Sequence, residues 1–424
     1  VKLNWRAAVA ASLAVAAWPV PATASDAKDC DAWAQTPEAW DEVEVILREN
    51  YAYLGRVPDV DALLSKAGAS ARKAQTVGEL ARIAETLGYA FRDGHFHVRP
   101  VSSPERAWIP SSSDFWTIRS GDRWIVADVK QGSDAAALGV RPGWQLISMD
   151  GEAIEARAKA ALAPVEADPD AGQVEYAVNV VTTGFLGHER KLTFATPEGE
   201  RTLTLAPAQQ ALGERPDGGL EITDHGGVAR IRFHDSLGDN AMVEAFDSAM
   251  MEVAEARGLI IDLRDTPGGG NTTVARTILG HFVTEASVYQ VHRNAYEDAV
   301  FGVPRQYAEY VFPRGSHFSG PVVVLAGRWT GSAGEALAMA FDRTVGATTI
   351  GSPLADLLGT LNRTSTDNRC LSFAFAWDSL FSRDMTPRED WLPGTVMEAS
   401  DTGEDGGDAA LEVALDWFAS GVSE

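Results

Sequence analysis

The chain has 424 residues, 45% of them hydrophobic, with 36 Lys and Arg against 60 Asp and Glu for a formal net charge of −24. That length exceeds one ordinary hydrophobic core and predicts two or three domains. The acidic excess excludes a phosphate-backbone or anionic-membrane partner, so no nucleic acid is expected.

Taken in order, residues 1–24 read as a secretory signal peptide. Lys2 and Arg6 precede an apolar run over 7–17, then come Pro19, Pro21 and Ala22-Thr23-Ala24, a small-x-small site. The run is too short to span a bilayer, and no second run approaches spanning length. Ala27-Lys28-Asp29 before Cys30 lacks the pattern of a lipid-modified cysteine. The expectation is a periplasmic or extracellular protein with no membrane insertion after signal cleavage. Cys30 and Cys370 are the only cysteines, and in an oxidising compartment they can form one disulfide.

Residues 25–105 predict a helical domain. Trp40, Val43, Val45, Ile46 and Leu47 share a face, and Thr76 with Glu79 has capping-box spacing ahead of Leu80, Ile83 and Leu87. The domain ends in Asp93-Gly94-His95-Phe96-His97, where Asp-Gly supplies a turn and the alternation after it predicts a strand with both histidines on one face. Ser111-Ser112-Ser113 predicts a linker. Over 110–207, a strand at 124–129, a short helix at 133–140, Arg141-Pro142-Gly143 and a strand at 145–149 resemble a PDZ domain, with Trp144 where that family usually has aspartate. A helical stretch at 153–162 and a hairpin over 190–205 complete it.

After a Gly/Pro-rich linker near 216–219, residues 220–424 alternate strand and helix: strands at 228–233, 259–264 and 322–326, helices at 241–256, 273–282, after 332 and at 408–418. Such alternation predicts an α/β core with a mostly parallel sheet and crossover helices. Two loops in it carry chemistry. Ser332 lies in Gly331-Ser332-Ala333-Gly334-Glu335 between a buried strand and a helix, where small residues allow a sharp bend and the helix N-terminus favours negative charge. Alone, such a serine reads first as a helix cap. Asp265-Thr266-Pro267-Gly268-Gly269-Gly270-Asn271 follows the 259–264 strand and lacks the spacing of a nucleotide loop. Its bare N–H groups suit an oxyanion hole: one donor at Gly268, the second at Ala333, the N–H after the serine.

Asp93-Gly94-His95, the PDZ-like stretch, the 259–264 strand with Pro267-Gly268-Gly269 and the Ser332 turn, in that order, resemble the C-terminal processing peptidase and tricorn protease family. The resemblance implies a crotonase-like core and a serine peptidase. The processing branch uses a lysine some two dozen residues after the serine, but this chain reads Gly351-Ser352-Pro353-Leu354-Ala355 there and has no lysine after Lys191. The tricorn-like branch uses a histidine, which places the base at His95. A neutral imidazole accepts a proton near pH 7 without the desolvation that a lysine base requires. A metal site on His95 and His97 is the weaker reading, for lack of further ligands.

The same resemblance places the acid at Glu389, with Asp390 as its neighbour and rival; Glu335 is ambiguous in the same way, since it can favour its helix start electrostatically without touching the chemistry. The expected function is proteolysis by an exported serine hydrolase acting on peptide or unfolded-protein substrates, with Ser332, His95 and Glu389 as its site, no cofactor and no metal. The rivals are a non-catalytic protein binding hydrophobic ligands or peptides on the same fold, and a PDZ scaffold with a decayed core.

Overall fold

The structure, a computed structural model, describes residues 24–101, 109–208, 219–397 and 407–421. The expected signal peptide up to residue 23 and positions 216–218 of the second linker lie outside them.

Four helices open the chain: α1 (Ala24–Ala34), α2 (Pro37–Asn50), α3 (Val60–Ala71) and α4 (Val77–Phe91). Pro37 enters α2 in its first turn, where a missing N–H costs no helical bond. Thr76 Oγ1 accepts the Glu79 N–H at 3.2 Å and Glu79 Oε2 accepts the Gln75 N–H at 2.7 Å, which closes the start of α4. Trp40, Val43 and Leu47 are buried as the periodicity predicts. Val45 is not, because two residues turn a helix by about 200° and carry the side chain to solvent. α4 ends at Arg92 in the left-handed region, and β1 (His97–Arg99) follows. His95 therefore sits in the turn and His97 begins the strand.

The middle of the chain contains β2 (Phe115–Ser120), β3 (Arg123–Val129), α5 (Asp134–Ala137), β4 (Gln145–Met149), β5 (Glu152–Ala153), α6 (Ile154–Leu162), α7 (Ala171–Thr183), β6 (Arg190–Thr196) and β7 (Gly199–Leu205). Its strands form an antiparallel sheet in the order β2-β3-β4-β6-β7, with β5 on β4. The sequence reading leaves α7 out, although Asp170 and Gln173 form a capping box at its start. It also takes Ser111-Ser112-Ser113 for a linker. Ser111 and Ser113 are instead buried, and the Ser113 carbonyl accepts the Trp329 indole N–H at 2.9 Å.

The remaining elements are β8 (Leu220–Asp224), β9 (Val228–Phe233), α8 (Ala241–Glu252), β10 (Gly258–Asp262), α9 (Thr272–Gly280), β11 (Ser287–Asn294), α10 (Ala295–Phe301), β12 (Arg305–Val311), β13 (Val322–Ala326), α11 (Ala333–Ala340), β14 (Thr348–Gly351), β15 (Thr360–Ser365), β16 (Ser372–Phe381), β17 (Thr395–Val396) and α12 (Ala409–Ala419). One sheet runs β17-β14-β13-β10-β9-β8 and is parallel except for the β8–β9 hairpin. β10 and β13 are buried throughout, as strands covered on both faces must be. They are neighbours in register from Leu259↔Val322 to Asp262↔Leu325, so the glycine loop and the Ser332 turn leave the sheet side by side.

The other sheet is antiparallel, in the order β1-β16-β11-β12 with β15 on β16. It borrows β1 from the N-terminal region, a long-range pairing that no local pattern announces. A single apolar cluster runs from α1–α4 through the middle sheet to Phe373 and Phe375 of β16. Two further clusters cover the faces of the parallel sheet, one under α8, α9 and α11 and one under α12. Cys30 and Cys370 are joined in a disulfide, tying α1 to the β15–β16 connection. Among the described residues no helix is long and apolar enough to cross a membrane.

Candidate active site

Ser332 stands between β13 and α11 with φ 54° and ψ −111°, a conformation that costs a non-glycine residue about 1–3 kcal/mol. Its surroundings hold it there. Glu335, one turn into α11, accepts the Ser332 N–H at 2.5 Å, and the Gly331 N–H donates to the Thr266 carbonyl at 2.8 Å. Gly334 is required for close approach, because a Cβ there would collide with the Thr266 hydroxyl. The serine turn and the glycine loop are therefore packed backbone against side chain.

His95 lies against this turn. Its Nε2 is 3.0 Å from Ser332 Oγ, and its Nδ1 is 2.7 Å from the Leu358 carbonyl oxygen. A carbonyl only accepts, so Nδ1 carries the proton and Nε2 presents its lone pair to the serine hydroxyl. Burial pushes the imidazole pKa down to about 3, with Arg388 and His97 adding repulsion, and the ring is neutral at ordinary pH. This displaces the about 6–7.5 expected of a modestly perturbed histidine.

Gly268 has φ 117°, a value glycine alone adopts readily, and a Cβ built on it would lie 3.7 Å from Ser332 Cβ. Among the described residues, neither the Gly268 nor the Ala333 N–H has a hydrogen-bond acceptor. Both residues, with Ser332, His95, His97 and Arg388, line a cavity of about 580 Å³.

Glu389 departs from expectation. Its carboxylate accepts the Tyr53 hydroxyl at 3.4 Å and lies 3.8 Å from Arg56, and burial raises its pKa. The imidazole nitrogen assigned to it is held by Leu358 instead. Asp390 is exposed. Glu335, which the sequence leaves ambiguous, also accepts the N–H groups of Asp356 at 2.8 Å and Leu357 at 3.3 Å. It thereby ties the serine turn to the 356–359 segment whose carbonyl holds His95. Burial pushes its carboxyl up to about 8, with Arg388 3.7 Å away pulling the other way.

Three positions that the sequence reading did not assign complete the frame. Asp93 accepts the His95 N–H at 2.8 Å, the Leu358 N–H at 3.3 Å and the Tyr51 hydroxyl at 3.0 Å, so one carboxyl fixes both the histidine and the strap behind it. Burial raises it to about 7. Arg388 donates to the carbonyls of Ser332, Leu357 and Gly359. Leu358 acts through its backbone, which no side-chain pattern can reveal. Asp93 was visible as part of Asp-Gly-His, but its turn role hid its reach. The lysine-free stretch after Gly351 thus supplies a carbonyl rather than a base. Among the described residues no group of three or more His, Cys, Asp or Glu is placed to hold a metal.

Residues 227–376, which include both loops, match the sequence profile of peptidase family S41. No curated protein matches the sequence. The fold is similar to that of mature CPAF complexed with lactacystin, at 13% identity over 92% of this chain and 98% of that one, with a TM-score of 0.60. It is also similar to the photosystem II D1 C-terminal processing protease, at 15% identity over 89% and 96%, with a TM-score of 0.53. Two loops from adjacent parallel strands, a serine in a strained turn and a neutral histidine against it all lie within or beside the stretch that matches peptidase family S41, the serine peptidases.

Proposed function

We propose that the protein is an exported endopeptidase or processing peptidase in which Ser332 attacks the scissile carbonyl and His95 takes its proton, returning it to the leaving amine. The N–H groups of Gly268 and Ala333 receive the developing oxyanion. The observation that carries the reading is the 3.0 Å approach of His95 Nε2 to Ser332 Oγ, with Nδ1 committed to the Leu358 carbonyl. In this reading Leu358 does the orienting first assigned to Glu389, and Glu389 braces the 388–390 turn against Tyr53 and Arg56. Orientation by a carbonyl keeps the tautomer right, while giving the imidazolium less stabilisation than a carboxylate would.

Export is supported by the Cys30–Cys370 disulfide, which persists in an oxidising compartment. We further propose three units at 25–105, 110–207 and 220–424, with the middle one a PDZ-like module that recruits an extended peptide by strand addition. The test is fluorophosphonate labelling and peptide hydrolysis by the wild type beside Ser332→Ala. Labelled, active wild type and an unlabelled, inactive variant are expected. An unlabelled wild type that binds peptide or apolar ligand without turnover would instead support the non-catalytic binding protein.

A further inference from the structure

We propose that a bulge in β11 builds a carboxamide-binding subsite from Tyr289 and Gln290 in the active-site cavity, so that the preferred substrates carry a glutamine or asparagine side chain near the scissile bond. The inference rests on the peptidase reading and adds the substrate class to it.

Register gives the first observation. β11 pairs with β12 through Val288↔Tyr310 and then Gln290↔Glu309, which leaves Tyr289 as an extra residue with no partner opposite it. Along an undisturbed strand adjacent side chains point to opposite faces, and a bulge re-aims one of them. Tyr289 and Gln290 accordingly both line the cavity that holds Ser332 and His95. α11 packs against β11, and its Ala333 and Ala336, three residues apart and so on one face, line the same cavity with methyl groups only. That leaves room for a substrate side chain between the proposed oxyanion donor and β11.

Unmet hydrogen bonding gives the second. Tyr289 and Gln290 are 1% and 2% exposed, and among the described residues neither the Tyr289 hydroxyl nor Gln290 Oε1 has a hydrogen-bond partner. A buried polar atom left unpaired costs about 1–3 kcal/mol, and a ligand that pairs it recovers that cost. The amide is oriented from behind. Gln290 Nε2 donates to Glu309 Oε2 at 2.6 Å, and a carboxylate only accepts, so Oε1 is the atom left over. Glu309 is itself held by the Thr272 hydroxyl at 2.9 Å and lies 3.2 Å from His292 Nε2. Burial, with Glu309 nearby, raises the Tyr289 pKa, so the hydroxyl keeps its proton as a donor. The wall thus offers one acceptor and one donor from adjacent residues, and a carboxamide is the neutral side chain that carries the complementary donor and acceptor. A carboxylate would meet the Gln290 oxygen with no proton to give. An ammonium would find no counter-charge, since the described residues lining the cavity include no Asp or Glu, while Arg388 is among them.

Matched fluorogenic peptides test the proposal. Gln is compared with Glu, Met and Lys at each position around the scissile bond, Met being its apolar match in length. At one position Gln should exceed each of the three about ten- to a hundredfold in kcat/KM in the wild type. The preference for Gln over Met should fall toward one in Gln290→Met, and Tyr289→Phe, which removes a single oxygen, should lower it at the same position. Each ratio is internal to one variant, so partial loss of folded protein does not move it. Equal rates for Gln and Met at every position in the wild type, or a Gln preference left unchanged by either substitution, would overturn the subsite. So would a preference for Lys over Gln, which would make Glu309 the recognising group. Failure of Ser332 to label would instead overturn the peptidase reading itself.

Discussion

At the scale of single residues, the proposed mechanism makes Ser332 and His95 a unit, so substitution of either should cost several orders of magnitude in kcat. The double variant Ser332→Ala, His95→Ala should be scarcely slower than either single one, measured as kcat/KM on one peptide. Additive losses would show that the two side chains work separately. The burial that drives His95 down to about 3 also sets a pH prediction. The acid limb of kcat/KM should lie well below the about 6–7.5 of an ordinary imidazole, and a limb in that range would mean that the ring is solvated during turnover. Stability carries a signature of the opposite kind. Asp93 and Glu335 bind their protons more tightly folded than unfolded, with pKa values of about 7 and about 8. Their contribution is fully present below their unfolded values near 4 and is lost as pH rises through 7 and 8. Asp93→Asn should flatten that slope in urea titrations run from pH 4 to 8.

Among the elements, the 356–359 segment matters most, because it links the serine turn to the histidine. Glu335 holds its N–H groups and Arg388 its carbonyls, with both side chains 4% exposed. Removing Arg388 leaves the carbonyls of Ser332, Leu357 and Gly359 without their donor, so Arg388→Ala should cost about 1–3 kcal/mol of stability in denaturant unfolding. It should also lower kcat more than it changes KM, since the carbonyls of Leu357 and Gly359 on either side of Leu358 lose their tether. A variant as stable and active as wild type would show that α11 and the strap are held by packing alone. The neighbouring pair β10 and β13 shows the complementary case, in which continuous burial and register suffice to set two loops together.

At the scale of the molecule, the middle sheet touches both reactive loops. Ser113 receives the Trp329 indole beside the serine turn, Lys130 lies 3.9 Å from Asp265 at the base of the glycine loop, and Gln131 receives Arg232, which itself pairs with Asp265. The turn after the N-terminal helices supplies the catalytic histidine of the proposed mechanism, and the disulfide ties α1 to the β15–β16 connection. Because the bridge closes a loop over a sequence separation of 340, its reduction should lower stability by about 2–4 kcal/mol. Denaturant unfolding with and without reductant reads this, together with titration of free thiols in the native protein. Unchanged stability after complete reduction would leave the bridge without a structural role.

Much of this was legible without coordinates. The all-apolar run before Gly327, the glycine loop after β10 and the alternation of strand and helix are local signals, set by turn chemistry and periodicity within a dozen residues. They were enough to mark Ser332, Gly268 and Ala333 as candidates, and the resemblance to the tricorn-like branch placed the base at His95. What the sequence left open were relations across the chain. His95 and Ser332 are 237 residues apart, and β1 joins a sheet whose other strands come after residue 286. The orienting group is a backbone carbonyl, which every residue possesses and no composition distinguishes. Glu389 was chosen because the tricorn-like resemblance places a glutamate before a Gly/Pro turn, as in Glu389-Asp390-Trp391-Leu392-Pro393-Gly394. Leu358 could be recognised only once the fold had buried His95 and brought an acceptor to its Nδ1, because burial and direction belong to the packed chain and not to the residue.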